Sequence, residues 1–321
     1  MASSSKERFS RGGAPMTERV EALKRAYRER DQVVRFIAES GHFRVSVIKN
    51  TRAAQTAQQR HQLSPLAAVM LAKTMAASSL LASFLKGEER VVIEAMGNGP
   101  LRKVLAEALK VGEVRGYVAN PAATLDFSQQ NVRLGDALGV GVLRVSRILY
   151  NRVEPVTGIV ELRRGDISSD VAYYLWRSEQ VPSVVLLDVT IDKEGTIEQS
   201  GGVLIQTLPG ATEPEIQEVE DQLRMFRSLT TLFQQGYMPP EIAATLVPFP
   251  LQQVDSTPVD FFCRCSKDRF KAALLMLGVE ELRGMLQDGH RELVCKYCGE
   301  RYELSEDELR AMIAQLDARK N

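Results

Sequence analysis

No cysteine precedes position 263 in this 321-residue chain, so no disulfide framework staples the fold along its length. A chain of this size buries enough core to do without staples, and about two domains are expected. An excess of charge is also missing, since 41 Lys and Arg stand against 41 Asp and Glu. Dedicated nucleic-acid binders and membrane-surface proteins usually carry a basic excess, so neither partner is expected. Histidine is scarce. His42, His61 and His290 lie far apart without ligand spacing, and each is expected to be structural or solvent-facing. Walker A, G-x-S-x-G and H-E-x-x-H patterns do not occur, and GVGVLR and GNGP are glycine turns without dinucleotide spacing. RRGD at 163–166 reads as a loop.

A long uninterrupted apolar run is lacking too. The most apolar stretch, LSPLAAVMLAKTMAASSLLASFLKG, carries Lys73 and is rich in alanine and serine. It reads as a buried or half-buried helix with Ser64 as N-cap, Pro65 in the first turn and Gly87 past its end. A membrane span is not expected. The start, MASSSKERFSRGGAP, has no apolar h-region of a secretory signal. A reducing, intracellular setting is therefore expected, where cysteines are more often metal ligands or redox groups than staples. Residues 1–15 read as a flexible tail, with a vestige of an organelle transit peptide as the alternative.

What is present divides the chain into four. Residues 1–30 read as a flexible tail and a charged lead-in helix, TERVEALKRAYRERDQVVR, whose pattern runs on to 35. Residues 31–210 alternate strands and helices without strict βαβ order, which predicts an α+β core domain. Phe43, Val45 and Val47 alternate with polar residues as a half-buried strand, and Val171, Tyr174 and Leu175 share a helical face. Residues 211–259 are expected to be a helical, marginally housed linker. Ile216, Val219, Leu223, Phe226, Leu229, Leu232 and Phe233 recur at the spacing of one amphipathic helix. The stretch after it, YMPPEIAATLVPFPLQQVDSTPVDFF, is too broken by proline for a long regular element and too apolar for a solvated linker. Residues 260–321 form a small unit, with Ser266 capping one helix and Ser305 with Glu308 at capping-box spacing before the last.

All four cysteines fall in that last unit, as Cys263-x-Cys265 and Cys295-x-x-Cys298 with 29 residues between. Two close pairs of sulfurs are what tetrahedral zinc requires, and Gly299 suits the turn of a zinc knuckle. A thioredoxin-type enzyme is the weaker alternative, because no strand-then-helix context surrounds Cys295. Four unrelated buried cysteines would not be expected to fall in two such pairs. A unit of about 60 residues is marginal alone, so removing the metal should unfold it. Arg264, Lys267 and Lys296 lie beside the cysteines and would favour the thiolate. Neighbouring cysteines can close into easily reduced disulfides, a C-x-C ring being strained. On this chemistry alone a static zinc site is favoured over a redox sensor, with both readings open.

CRCSKDR, ALLMLGVEEL and VCKYCGERYEL resemble the zinc module of the redox-regulated heat-shock chaperones, the 33 kDa chaperonin family. TAQQRHQLSPLAAVMLAKTMAASSLLAS, GNGPLRKVLAEA, ELRRGDISSDVAYYLWRSEQVPS and GGVLIQTLPGA resemble its core segments, so the likeness spans about residues 31–318. The long N-terminal lead departs from the pattern and leaves localisation open between cytoplasm and an organelle stroma or matrix. The resemblance implies a holdase that uses no ATP and is not an enzyme. Cys263, Cys265, Cys295 and Cys298 would hold Zn2+ in an inactive reduced state. On oxidation Cys263–Cys265 and Cys295–Cys298 disulfides would form, zinc would leave, module and linker would unfold, and chains would form homodimers. Unfolding client proteins would then be captured, with Ile216, Val219, Leu223, Phe226, Leu229 and Phe233 as the candidate binding face. The competing reading of that face is permanent core. Competing functions are a zinc-ribbon module that binds nucleic acid or protein, and a C-x-x-C thiol oxidoreductase.

Overall fold

A helix apolar on every side has no face to offer water, and it must be enclosed. The computed structural model describes residues 30–320 and shows how this is done. Strands β1 (Gln32–Ala38) and β2 (Phe43–Lys49) precede helices α1 (Thr51–His61) and α2 (Pro65–Ala82). Next come β3 (Arg90–Gly97), β4 (Lys103–Leu109), β5 (Glu113–Val118), β6 (Gly141–Ile148) and β7 (Val156–Glu161). Helix α3 (Ser168–Glu179) leads to β8 (Ser183–Ile191) and β9 (Ile197–Thr207). The first sheet has the order β10-β1-β2-β9-β8, where β10 is Leu251–Pro258. The second has β11-β5-β4-β3-β6-β7, where β11 (Asp260–Phe261) pairs parallel with β5.

The helix in question is α2. Ser64 caps it, its Oγ accepting from the Ala67 N–H at 3.2 Å, and Pro65 sits in the first turn. All of its residues except Pro65, Val69 and Lys73 are buried. It packs on β8 and β9 of one sheet and on β3, β4 and β5 of the other. Met70, Leu71, Met75 and Leu80 fill the space between, each contributing roughly 1.5–3 kcal/mol by burial. By length and composition this is the one described helix that could cross a membrane, and 83% of it is buried inside the protein. The expectation of a core helix is met.

The first sheet is covered on both faces, which explains the continuous apolar strings in SVVLLDVTI and GGVLIQT. Val33, Ile48, Leu187 and Leu204 join the core around α2. Val34, Phe36, Val45, Val47, Val203 and Ile205 face the other way. That outer face is roofed by α4 (Glu213–Met225), α5 (Leu229–Gln234) and α6 (Pro239–Leu246) through Val219, Leu229, Phe233, Ile242 and Leu246.

Three expectations need correction. Gln32 to Arg35, read as the end of a charged helix, belong to β1, because β2 and β10 offer it a ladder on either side. The remainder of that lead-in and the tail, residues 1–29, lie outside the described residues. The single amphipathic helix of the linker is two helices. Phe226 is extended (φ −78°, ψ 132°), and Asp188 of β8 accepts from Ser228 Oγ, Thr230 N and Thr230 Oγ at 3.0 Å each. A carboxylate from the sheet thus fixes the start of α5. The proline-broken stretch also contains a regular strand, β10, with prolines only at its borders, Pro250 before it and Pro258 at its end. Proline is tolerated there because it removes no interior ladder bond.

Candidate metal centre

Two short β elements bring the sulfurs together. Cys263 and Cys265 follow β11, whose pairing with β5 is extended by the Phe262 N–H donating to Val114 O at 3.0 Å. The first pair therefore hangs from the edge of the second sheet. Cys295 and Cys298 sit in the turn between β12 (Glu292–Val294) and β13 (Arg301–Glu303). Gly299 closes that turn at φ +72°, its N–H donating to Cys295 O at 2.8 Å. A Cβ there would also lie 2.7 Å from Arg60 O, so both backbone conformation and space call for glycine.

All four Sγ atoms lie within 4.8 Å of one another. Cys263 and Cys295 are 3.8 Å apart, and Cys265 and Cys298 3.4 Å. Four sulfurs at about 2.3 Å from a tetrahedral ion stand about 3.8 Å from each other, so the donor set fits zinc. Backbone N–H groups of Tyr297 and Cys298 serve Cys295, that of Glu300 serves Cys298, and that of Cys265 serves Cys263. Amides aimed at sulfur support a metal-bound thiolate. Tyr302 Oη donates to Cys265 O at 3.2 Å and lies 3.2 Å from its sulfur.

The cation that touches sulfur is one that spacing along the chain did not reveal. Arg115 of β5 donates from one guanidinium nitrogen to Cys263 Sγ at 3.2 Å and from the other to Glu107 at 3.0 Å. Burial pushes the Cys263 thiol up, but the Arg115 guanidinium and the Cys265 amide outweigh it and the pKa falls. At Cys295 and Cys298 burial dominates, and both rise. The three neighbours expected to favour the thiolate are engaged elsewhere. Arg264 is bidentate to Glu113 (2.7 and 2.8 Å) and reaches Glu88 at 2.8 Å. Lys267 pairs with Glu308 at 2.6 Å, and Lys296 lies over the Tyr117 ring, 4.8 Å from its centroid. The one sequence signal for Arg115 is the alternation of EVRGYV, which sends Glu113, Arg115 and Tyr117 to the face opposite Val114 and Val118.

Behind the sulfurs the module is modest. Helices α7 (Lys267–Leu277), α8 (Val279–Gln287) and α9 (Glu306–Lys320) enclose Leu274, Leu282, Leu304, Leu309 and Met312. Both expected caps are present. Ser266 Oγ accepts from Arg269 N at 3.2 Å, while Ser305 and Glu308 satisfy each other's amides at 2.8 and 3.1 Å. The module meets the second sheet through polar and ring contacts. Tyr297 stands edge-on to Tyr117 with centroids 5.6 Å apart, and Arg115 lies over the Tyr297 ring.

Of the histidines, His61 donates to Tyr297 O at 3.3 Å, and burial lowers its pKa. His42 pairs with Glu215 at 2.8 Å. None lies among the sulfurs. The proposed client face is docked in this state: Val219, Leu229 and Phe233 are buried against the first sheet, with Ile216, Leu223, Phe226 and Leu232 partly covered. Met225, outside that pattern, is 81% exposed.

The sequence pattern of the Hsp33 protein family matches residues 31–305. A 33 kDa chaperonin of Bacillus velezensis is 38% identical over 282 residues, covering 87% of this chain and 97% of that protein. The chain belongs to the Hsp33 family. A 33 kDa chaperonin of Thermus thermophilus is 36% identical, covering 89% of this chain and 87% of its own length. The crystal structure of the Hsp33 homologue of Thermotoga maritima superposes with a TM-score of 0.84 at 30% identity, over 89% of this chain and 99% of that one. The α+β architecture and the resemblance read from the sequence are both borne out. Membership places the protein among molecular chaperones, a family not known for catalysis.

Proposed function

We propose that this Hsp33-family chain is a redox-gated, ATP-independent holdase. The observation that carries the reading is the set of four sulfurs at tetrahedral spacing, chain-linked to helices whose apolar face is lodged against the first sheet. Cys263, Cys265, Cys295 and Cys298 hold Zn2+ in the reduced, inactive state. When bound, the ion fixes four thiolates in one place and so joins the β11 edge to the β12–β13 turn. Hydrogen peroxide oxidises the centre, one molecule for each disulfide. In each pair, Cys263 with Cys265 and Cys295 with Cys298, an Sγ–Sγ bond forms. The two electrons released reduce one peroxide, which takes up two protons and leaves as two waters. Pairing within each motif comes from the family resemblance, since every pair of sulfurs is within 4.8 Å in the reduced state. Without the common ligand the two halves lose their tie, and residues 260–321 unfold.

With the chain divided at 210 and 259, the middle segment carries the next step. Residues 211–259, freed at their C-terminal end, lift from the first sheet and expose Ile216, Val219, Leu223, Phe226, Leu229 and Phe233. Unfolding proteins bind there, oxidised chains associate as homodimers, and the setting is cytoplasmic. The deciding experiment follows aggregation of a heat-denatured client with reduced protein and with peroxide-treated protein, while zinc release and thiol loss are measured together. Suppression is expected only after oxidation, with one zinc released as four thiols disappear. Equal suppression by both forms would overturn the gating.

A further inference from the structure

The strand β10 is unlike its neighbours in how it is held. None of its eight side chains is buried, whereas in β1, to which it pairs, five of seven are. The two strands run antiparallel from Gln32↔Pro258 to Ala38↔Leu251, with the register shifting between Arg35 and Phe36. That shift leaves Val254 without an opposite residue, and its side chain is 58% exposed. Apart from the ladder, β10 is tied by a few polar side chains: Lys110 donates to Thr257 Oγ1 at 3.0 Å, Ser256 Oγ donates to Gln32 Oε1 at 3.2 Å, and one carboxylate takes two cations. Asp255 accepts from Arg35 at 2.9 Å and from Lys110, in the β4–β5 turn, at 2.6 Å. Its end is pinned by Gly112, where a Cβ would lie 1.8 Å from Pro258 O. Four residues separate Pro258 from Cys263. The strand is thus a polar edge of the first sheet, fastened by backbone bonds and a few polar side-chain contacts and directly leashed to the first cysteine pair.

Lifting β10 leaves an unusual edge. Val34, Phe36 and Ala38 of β1 face the outer cluster and Val33 faces the core. Their backbone N–H and C=O groups on the vacated side would be unpaired. With the α4–α6 roof lifted as well, β1 offers an apolar outer face beside an open edge, a template for any extended chain. We propose that, in the oxidised protein, this β1 edge is a second client site that captures an extended segment of unfolded polypeptide as a replacement strand, about eight residues long. This inference rests on the redox-gated holdase reading. The occupant is defined by what β10 supplied: main-chain donors and acceptors, little side-chain burial, and an acid opposite Arg35 and Lys110. Because every unfolded polypeptide offers the first of these, the site suits clients of unrelated sequence. Segments with an acidic or neutral residue at the middle position fit better than basic ones, since Arg35 and Lys110 lose their common partner when Asp255 leaves.

The test uses the oxidised full-length protein and a labelled peptide of residues 250–259, PLQQVDSTPV, read by fluorescence anisotropy. The peptide is expected to bind oxidised but not reduced protein and to compete with client. A version N-methylated at the alternate amides that face β1, with identical side chains, is expected not to bind. A peptide carrying Asp255→Lys is expected to bind more weakly than the parent. Hydrogen exchange should show loss of protection in 251–258 and in β1 on oxidation, and recovery in β1 when client is added. Equal binding of the plain and N-methylated peptides, or protection of 251–258 that survives oxidation, overturns the inference. Protection of β1 that rises with protein concentration in the absence of client also overturns it, in favour of a second copy of this chain. If oxidised protein suppresses aggregation while the peptide fails to bind, the edge is wrong and the holdase stands. If the peptide binds while aggregation is not suppressed, the holdase reading fails and the edge is real.

Discussion

Between the two sheets, Met70, Leu71, Met75 and Leu80 are at most 1% exposed within a cluster that draws on both sheets and three helices. In the cysteine module the comparable core is Leu274, Leu282, Leu304, Leu309 and Met312, with two of them 6% and 9% exposed. The first region is closed by apolar area. The second has a smaller core, and on the proposed reading the rest of its cohesion comes from four sulfurs held at a common point. The difference teaches where a chemical signal can act. Around Leu71 the oxidisable groups are the thioethers of Met70 and Met75, both fully buried, whereas on the proposed reading the reactive atoms of the module are the sulfurs that hold it shut.

The largest expected effect separates the two regions outright. A strong chelator added to the reduced protein should remove roughly 10–16 kcal/mol of apparent binding free energy from the module and leave the sheets standing. Hydrogen exchange would show residues 260–320 unprotected while α2 stays protected. A single transition that takes both regions together would break the contrast. Next in size are matched truncations. Leu71→Ala and Leu309→Ala, both at 0% exposed positions, should each cost about 2–5 kcal/mol. Leu71→Ala should lower the urea midpoint of the sheets at unchanged zinc affinity. Leu309→Ala should appear as weaker zinc binding, because folding and binding are coupled there. Interchangeable results would remove the distinction.

The smallest effect is a slope with pH, and it belongs to the core. Asp31 is 3% exposed, accepts from the Ala53 N–H at the start of α1 at 2.8 Å, and has no partner for its second oxygen. Burial pushes its pKa up to about 7 from 3.8, against the opposing pull of the Ala53 amide. The folded state therefore keeps a proton that the unfolded state releases. Stability from this group is full below the unfolded value and declines as pH rises towards 7, by at most about 1.4 kcal/mol per pH unit. Asp31→Asn should flatten that decline in melts taken between pH 5 and 8, with no change in zinc affinity.

The sequence was most legible where one physical rule acted alone. Period-2 alternation placed β2, the serine caps at Ser64, Ser266 and Ser305 marked helix starts, and the paired cysteines announced their own proximity. It was least legible where a distant partner decided the outcome. Asp188 sets the start of α5 from 40 residues away, and β10 is a strand because β1 offers it an edge. Arg115 reaches Cys263 across 148 positions. Arg264, Lys267 and Lys296 are adjacent to the cysteines in the chain, but nearby carboxylates and an aromatic ring draw them away from the sulfurs. Nearness along the chain predicted composition around the site, not orientation within it.

The strand order of the first sheet carries a consequence for biosynthesis. Its middle, β1-β2-β9, joins residues from 32 to 49 with residues from 197 to 207, while β3 to β7 of the other sheet lie within 90–161. On the ribosome, local contacts can therefore assemble the second sheet first, and the β1–β2 hairpin must wait for β9 with its valines unshielded. Pulse-labelled exchange during refolding should find amides of β3 and β4 protected before those of β2. A nascent chain of this design passes through a vulnerable interval of its own.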